Sequence, residues 1–483
     1  GSIPRLPWRY PVTAEYYRLL ESGQLGFQLV YESRSMPQLG PLRIDDLHAD
    51  ESFTVYDHPR VRIYRKVQQL SRDELRERFA WALAQPFSPG REQPPEYKTL
   101  LGRPVSSLPA ASDLGWSVPL TDFDPFAVAW WLLIVTLLGA IALPLSIRVF
   151  PAFPDHGFGF ARLLGLVCTG YLAWIFVSLD LMPFTMPWLL LPLALMVIAV
   201  TWIARLHQRG LVALLRRHAP FILASEAAFW LAFCVFLGFR WLNPDLWHPI
   251  FGGEKPMELA YINAIARSLT FPPYDPWFAD GTMNYYYYGF YLVAFLWKLT
   301  GVSPGVGFQL SVATLAGFLA SGLFSLGAAI GRHLLPGGRS AVSSLAAGGM
   351  TVLLGLFTGN LDALRQVISR GTWSIDFWQS SRAVTNAITE FPFFTFLWAD
   401  LHPHAVAQPL IVLLLALVFS RWLDARHSPH VKAVLMAGTA SLAAGSIAVT
   451  NTWDTPLAVL LVTAFAFAPA LEQQKLSIRS LAA

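Results

Sequence analysis

The sequence predicts an all-α polytopic membrane protein of about nine transmembrane helices plus interfacial helices, with a small α/β piece at its N-terminus. Two observations carry this. Hydrophobic residues make up 54% of the 483 and charged residues only 14%, against about 25% charged in soluble domains. Apolar runs long enough to cross roughly 30 Å of hydrocarbon recur from residue 125 onward. The formal charge of +4 is too mild for a nucleic-acid surface, and no basic run carries interleaved aromatics. Cys168 and Cys234 both lie inside apolar runs, which speaks against a disulfide framework or a thiolate metal site. No Walker or Rossmann glycine pattern, CxxC or HExxH occurs.

Residues 1–85 read as an extracytoplasmic α/β piece, incomplete by itself, with many Arg, Glu, Asp and Pro and no span-length apolar run. Gly1-Ser2 reads as a cloning scar or the start of a cut-out piece. The end at Ala483, just after a span, adds to the expectation of a fragment. Phe27–Tyr31, Phe53–Tyr56 and Arg60–Tyr64 read as strands from their β-branched and aromatic content. Glu15–Glu21 and Ser71–Ala84 read as helices. Ser71 with Glu74 three residues on is a capping box. Residues 86–120, rich in Pro and Ser, read as a linker. A three-span segment at 121–204 and a larger membrane domain at 205–483 follow, with outer loops 243–306 and 360–402.

The expected spans are 125–147, 158–178, 185–204, 221–241, 307–330, 341–358, 403–420, 433–450 and 456–470. The run 285–300 is ambiguous, because it holds Lys298 and begins with four tyrosines. Loop charge decides it. Arg205, Arg209, Arg216 and Arg217 form one basic loop, Arg332 and Arg339 a second, and Arg421, Arg426 and Lys432 a third. All three face the cytoplasm only if 285–300 does not cross, so it reads as an interfacial or re-entrant helix. The N-terminal piece then lies outside and the C-terminus inside. Arg365, Arg370 and Arg382 break the charge rule in the outer loop, where pairing with Asp362, Asp376, Glu390 or Asp400 would account for them.

Five polar segments abut spans, all on the outer side in this topology: Glu254–Glu258, Asp280–Tyr288, Asn360–Asp362, Asp400–His404 and Asn451–Asp454. Convergent ionisable groups at span ends are how a membrane enzyme or transporter builds a site. Glu254 and Glu258, four residues apart, can share a helix face as a general base or cation ligands; capping of the helix that Pro256 opens is the bland alternative. Tyr286 and Tyr287 are candidates for stacking a sugar ring or an isoprenoid, against plain interfacial anchoring. Asp400, His402 and His404 suit a metal, an anion or proton transfer equally, with Pro403 in a helix first turn. Asn451, Trp453 and Asp454 repeat the logic before Pro456, as do Asn360 and Asp362, with helix capping competing at both. Lys255 and Asp280 complete the candidate binding residues. Glu254, Asp400, His402 and His404 are the candidate ligands for a divalent cation such as Mg or Mn.

Gly253-Glu254-Lys255-Pro256-Met257-Glu258, Asp280 through Gly289 with its four tyrosines, Phe396 through His404, and Asn451-Thr452-Trp453-Asp454 occur in this order and resemble the uncharacterised YYY membrane-protein family over roughly residues 220–475. That family is grouped with GT-C glycosyltransferases. The resemblance implies a GT-C-like fold, a polyprenyl-phosphate-linked sugar donor and an essential acid in the first outer loop, the place of Glu254. Glu254-Lys255 stands where protein mannosyltransferases carry Asp-Glu. Tyr16 through Leu20 and Asp57-His58-Pro59 resemble the end of an outer domain that follows a GT-C module, which implies such a module preceding this piece.

The expectation is therefore a membrane glycosyltransferase with its site on the extracytoplasmic face and Glu254 and Asp400 as catalytic residues. Membrane lipid and the lipid-linked donor are its partners, with no nucleic acid. A transporter or flippase using Asp400, His402 and His404 as a proton relay, and a non-catalytic scaffold, are the rivals. Sugar, acceptor, metal dependence and oligomeric state have no signature in the sequence.

Overall fold

The computed structural model describes residues 10–33, 36, 38–39, 41–43, 61–85, 121, 124–205, 211–246, 253–278, 281–334, 340–371, 375–384, 387–424 and 430–481, with 38, 39, 42 and 471–481 as backbone alone. The chain divides into two compact units, Gly1–Lys98 and Thr99–Ala483.

In the first unit, a helix runs Pro11–Glu21, and Glu15 accepts from Arg18 at 2.6 Å on it. The strand Phe27–Ser33 pairs antiparallel with Val61–Lys66, Phe27 opposite Lys66. The expected strand Phe53–Tyr56 and the linker 86–120 lie outside the described residues. The capping box forms: Glu74 N–H donates to Ser71 Oγ at 3.2 Å and Ser71 N–H to Glu74 Oε2 at 2.7 Å. The expected single helix to Ala84 is interrupted at Phe79 (φ −93°, ψ 2°), giving Arg72–Arg78 and Ala80–Ala84.

The second unit is a helical bundle. Among the described residues, nine helices have the length and apolarity to cross a membrane. In chain order with two shorter helices between them, they are α1 (Asp124–Val149), α2 (Phe158–Ser178), α3 (Met186–Arg205), α4 (Ala219–Leu242), the short α5 (Lys255–Arg267) and α6 (Tyr288–Thr300), α7 (Pro304–Leu334), α8 (Ala341–Thr358), α9 (Pro403–Leu423), α10 (His430–Thr450) and α11 (Thr452–Ala470). The protein is thus a multi-span helical membrane protein with a small β element near its N-terminus.

Helix α7 is the bundle's axis, with 89% of its most apolar stretch buried. Lipid gives helices no hydrophobic reason to associate, so close backbone approach matters more. Gly327 and Gly331 supply it. A Cβ on Gly327 would stand 2.2 Å from Thr351 Oγ1, and one on Gly331 2.4 Å from Ala347 Cβ, both on α8.

All thirteen residues of α6 are buried. At 1.5 Å rise that helix is about 20 Å long, short of the hydrocarbon thickness. Its two ends also lie at the same end of the bundle. Gly289 packs against Val406 near the start of α9 and Thr450 at the end of α10. At the other terminus, the Thr300 carbonyl accepts from Trp130 Nε1 at 2.9 Å and the Gly301 carbonyl from Thr121 Oγ1 at 2.9 Å, beside the start of α1. If α6 crossed, chain alternation would put Gly289 and Val406 on opposite faces. It is re-entrant and enclosed rather than lying on the surface, and its Lys298 ammonium donates to the Phe184 carbonyl and sits 4.4 Å over the Phe184 ring. Within the spans, buried Arg162 on α2 pairs with Glu226 on α4 at 2.8 Å.

Candidate functional site

Gly253 takes φ +61°, a left-handed conformation natural to glycine, and a Cβ there would meet Trp398 Nε1 at 3.1 Å. The chain then turns into α5 at Glu254. Its carboxylate makes no capping bond to the helix. Instead, Glu254 Oε2 lies 2.8 Å from His402 Nε2, bridging α5 to the start of α9. Pro256 in the first turn of α5 and Pro403 in the first turn of α9 suit helix starts, where a missing N–H goes unmissed.

One turn on, Glu258 is fully buried and its Oε2 accepts the Leu401 N–H at 3.0 Å. Burial first, and then the charge of Asp400 beside it, push its carboxyl well above the usual range, so it is held protonated. Burial also works against the Asp400 charge, but a hydrogen bond from Glu258 and the charges of His402 and His404 outweigh it and hold Asp400 below its ordinary value. Asp400 Oδ1 also accepts the His402 N–H at 3.0 Å. The opposite directions of the two shifts favour keeping a proton on Glu258 and the charge on Asp400. Ala399, in the left-handed conformation at φ +59°, ends the helix Pro392–Trp398 and makes this turn.

His402 and His404 are two residues apart yet face one another, Nδ1 to Nδ1 at 3.1 Å. The outer nitrogen of His404 lies 3.4 Å from Glu390 Oε2 and 3.4 Å from Thr395 Oγ1. The result is a row: Glu254, His402, His404, Glu390. One hydrogen must lie between the facing Nδ1 atoms. If both outer nitrogens donate to their carboxylates, three protons sit on four ring nitrogens and the pair carries one positive charge. Burial opposes a charge on His402, but its bond to Glu254 and the charges of Asp400, Glu254 and Glu390 raise its pKa above the ordinary value. Burial and the Asp400 charge raise that of Glu390.

The other candidates divide. Lys255 is buried and donates to the Trp398 carbonyl at 2.8 Å, with its ammonium 5.5 Å over the Trp398 ring, so it fixes the turn before Asp400. Tyr286 stacks on Tyr285 at 4.0 Å, and the Glu254 charge is felt at Tyr285, which places the tyrosine run beside the carboxylate. Tyr287 accepts from Trp174 Nε1 at 3.3 Å. Asn451 donates to Asp454 at 2.8 Å instead of capping, the Asp454 charge reaches His404, and Trp453 is exposed. Asp280 lies outside the described residues.

Asn360 and Asp362 do not join this group. Asn360 donates to the Ser380 carbonyl at 2.7 Å, and buried Asp362 accepts from Arg365 at 2.6 Å and Gln366 at 2.8 Å. They tie Ser380 to Asn360 and the turn 362–366 to itself. The expected pairing of loop arginines with acids holds for Arg365, whereas Arg382 sits 3.6 Å over the Trp378 ring.

The donor set does not fit a divalent cation. Glu254, His402 and His404 aim their side-chain atoms at one another, and among the described residues no three His, Cys, Asp or Glu are grouped to hold a metal. Glu390 is the member that sequence reasoning passed over, as one acid among several in a loop.

The fold and this site define a multi-span membrane protein with a row of acids and imidazoles at one end of its bundle. The chain belongs to the family of uncharacterized membrane proteins DUF2298, whose model matches residues 168–482, more than half of its length. No curated protein and no solved structure matches it.

Proposed function

We propose that the protein is a membrane glycosyltransferase that takes a sugar from a polyprenyl-phosphate donor, with its site on the extracytoplasmic face. The observation that carries this reading is the 2.8 Å contact between Glu254 and His402. A partly exposed carboxylate stands beside an imidazole pair built to carry one positive charge, at the start of a 21-residue helix whose dipole also favours an anion. A base next to an anion subsite is what transfer from a phosphate ester needs. The resemblance to GT-C enzymes supplies the sugar and the lipid.

In this mechanism the acceptor oxygen attacks the anomeric carbon. The carbon–oxygen bond to the lipid phosphate breaks, and its electron pair leaves with the phosphate. The acceptor hydroxyl proton passes to Glu254. The single positive charge of the His402–His404 pair, fixed beside Glu254, offsets the charge developing on the phosphate through space and needs no reorganisation. Asp400 and Glu390 hold the pair charged. Protonated Glu258 anchors the Leu401 backbone without adding a second negative charge.

Purified protein in lipid nanodiscs, given polyprenyl-phosphate sugars labelled in the sugar, tests this. Release of the polyprenyl phosphate that rises with protein and with added hydroxyl acceptor supports transfer. Movement of intact donor between leaflets, without cleavage, favours a flippase instead.

A further inference from the structure

A cavity of about 360 Å³ lies between α2 and α10, bounded by Tyr171, Trp174, Tyr288, Ser441, Gly445 and Ser446 among others. That is within the range of small-molecule clefts, roughly 300–1,000 Å³. None of its lining residues is charged. It opens sideways, because Tyr171, Ser441, Gly445 and Val449 on its rim are exposed. These belong to two spans, so the opening faces hydrocarbon and not water.

Its floor is polar. Tyr288 and Ser446 are buried and their hydroxyls adjoin, so one can donate to the other, and neither meets a further hydrogen-bond partner among the described residues. Such a pair still leaves one O–H without an acceptor, and an unmet hydroxyl in an apolar medium is costly. Ser446 precedes the end of α10 at Thr450 by one turn, about 6 Å of rise. Its depth is therefore the boundary between hydrocarbon and headgroup layers.

We infer that the cavity holds one acyl chain of an ester-linked glycerophospholipid, whose ester carbonyl accepts from the O–H that the Tyr288–Ser446 pair leaves unmet. The chain lies along the Tyr171 and Trp174 rings, which are stacked 6.3 Å apart, and over the small residues of α10. An ester carbonyl is a neutral acceptor found at this depth on every such lipid. A polyprenyl phosphate carries oxygen only at its charged end, and no cation lines the cavity to receive it. The site is thus a bilayer-lipid site beside the tyrosine run, and it does not depend on the reaction proposed above.

The test compares an ester-linked phosphatidylglycerol with its ether-linked dialkyl analogue, which has the same chains and headgroup but no carbonyl. Purified protein in detergent is given each lipid, and native mass spectrometry counts what is retained. The ester lipid is expected to be retained about three- to tenfold more strongly, the worth of one net hydrogen bond. The Tyr288→Phe/Ser446→Ala protein should lose that preference while still binding a chain. Gly445→Leu, at a position where an added Cβ meets nothing within 4 Å, should fold normally and exclude both lipids. Equal retention of ester and ether lipids, unchanged occupancy in Gly445→Leu, or displacement of the ester lipid by equimolar polyprenyl phosphate would each overturn the inference.

Discussion

His402 Nδ1 and His404 Nδ1 stand 3.1 Å apart, with Glu254 beyond one ring and Glu390 beyond the other. A proton must sit between two nitrogens that close, and the flanking carboxylates favour a second donor at each end. The pair therefore behaves as one base with one charge, and the predictions below follow from that unit and from the fold around it.

The raised pKa of His402 means that its charged form is favoured in the folded protein. Its stabilising contribution is then complete below about pH 6.5 and is lost as pH rises through the folded value. Glu254→Gln removes a charge that raises it. Titration of the histidine side chains by NMR should show the His402 midpoint move down in Glu254→Gln. An unmoved midpoint would mean that the contact does not hold the proton.

Glu258 has the opposite consequence for a carboxylate. Its folded pKa lies well above the ordinary one, so the folded state keeps a proton that the unfolded state gives up. Stability should decline as pH rises above about 4.5 through the folded value. Glu258→Gln keeps an acceptor for the Leu401 N–H and has nothing to ionise. Melting temperatures across pH 5 to 9 should fall in the natural protein and stay flatter in the variant; parallel curves would contradict the assignment.

Packing of α7 on α8 gives a stability test away from the site. Gly327→Val drives a side chain into Thr351, and overpacking of this kind costs about 1–3 kcal/mol. Gly349→Ala, where an added Cβ meets nothing within 4 Å, should be close to neutral. Thermal unfolding of both in detergent checks the contrast.

Much of this architecture was legible because the physics of a span is one-dimensional. Nine apolar runs of sufficient length matched the nine candidate spans, with ends moved by a few residues. The placement of α6 was legible for a different reason: basic loops before and after it agree only if it fails to cross. The Glu254–His402 encounter followed from that parity, since both sit at span ends on one face. Asn360 and Asp362 find local partners because a polar residue at a span end serves a loop as readily as a site, and Arg365, three residues on, already matched Asp362. Glu390 was invisible because its partner, His404, is set by a turn through Ala399 that no pattern in the sequence announces. The partner of Lys255 was not legible for a similar reason, as it is a backbone carbonyl.

Sidedness has its own check. In a background without Cys168 and Cys234, a single cysteine at Ser340, between α7 and α8, should react only with membrane-permeant reagents in intact cells. One at Tyr286 should react with impermeant ones. Both sites labelled from outside would split α6 from the proposed topology and move the acid–imidazole row to the wrong face for an extracytoplasmic donor.

The central claim is that Glu254 removes the acceptor proton during sugar transfer. Its most direct measurement is single-turnover transfer of labelled sugar from a polyprenyl-phosphate donor by purified Glu254→Gln protein, normalised to the folded fraction. The account predicts a loss of about 10²–10⁴-fold in the transfer step, the usual worth of a positioned base. Donor binding should change little, since apolar burial at about 0.8 kcal/mol per CH₂ dominates it. Transfer at the natural rate by folded Glu254→Gln protein would contradict the account.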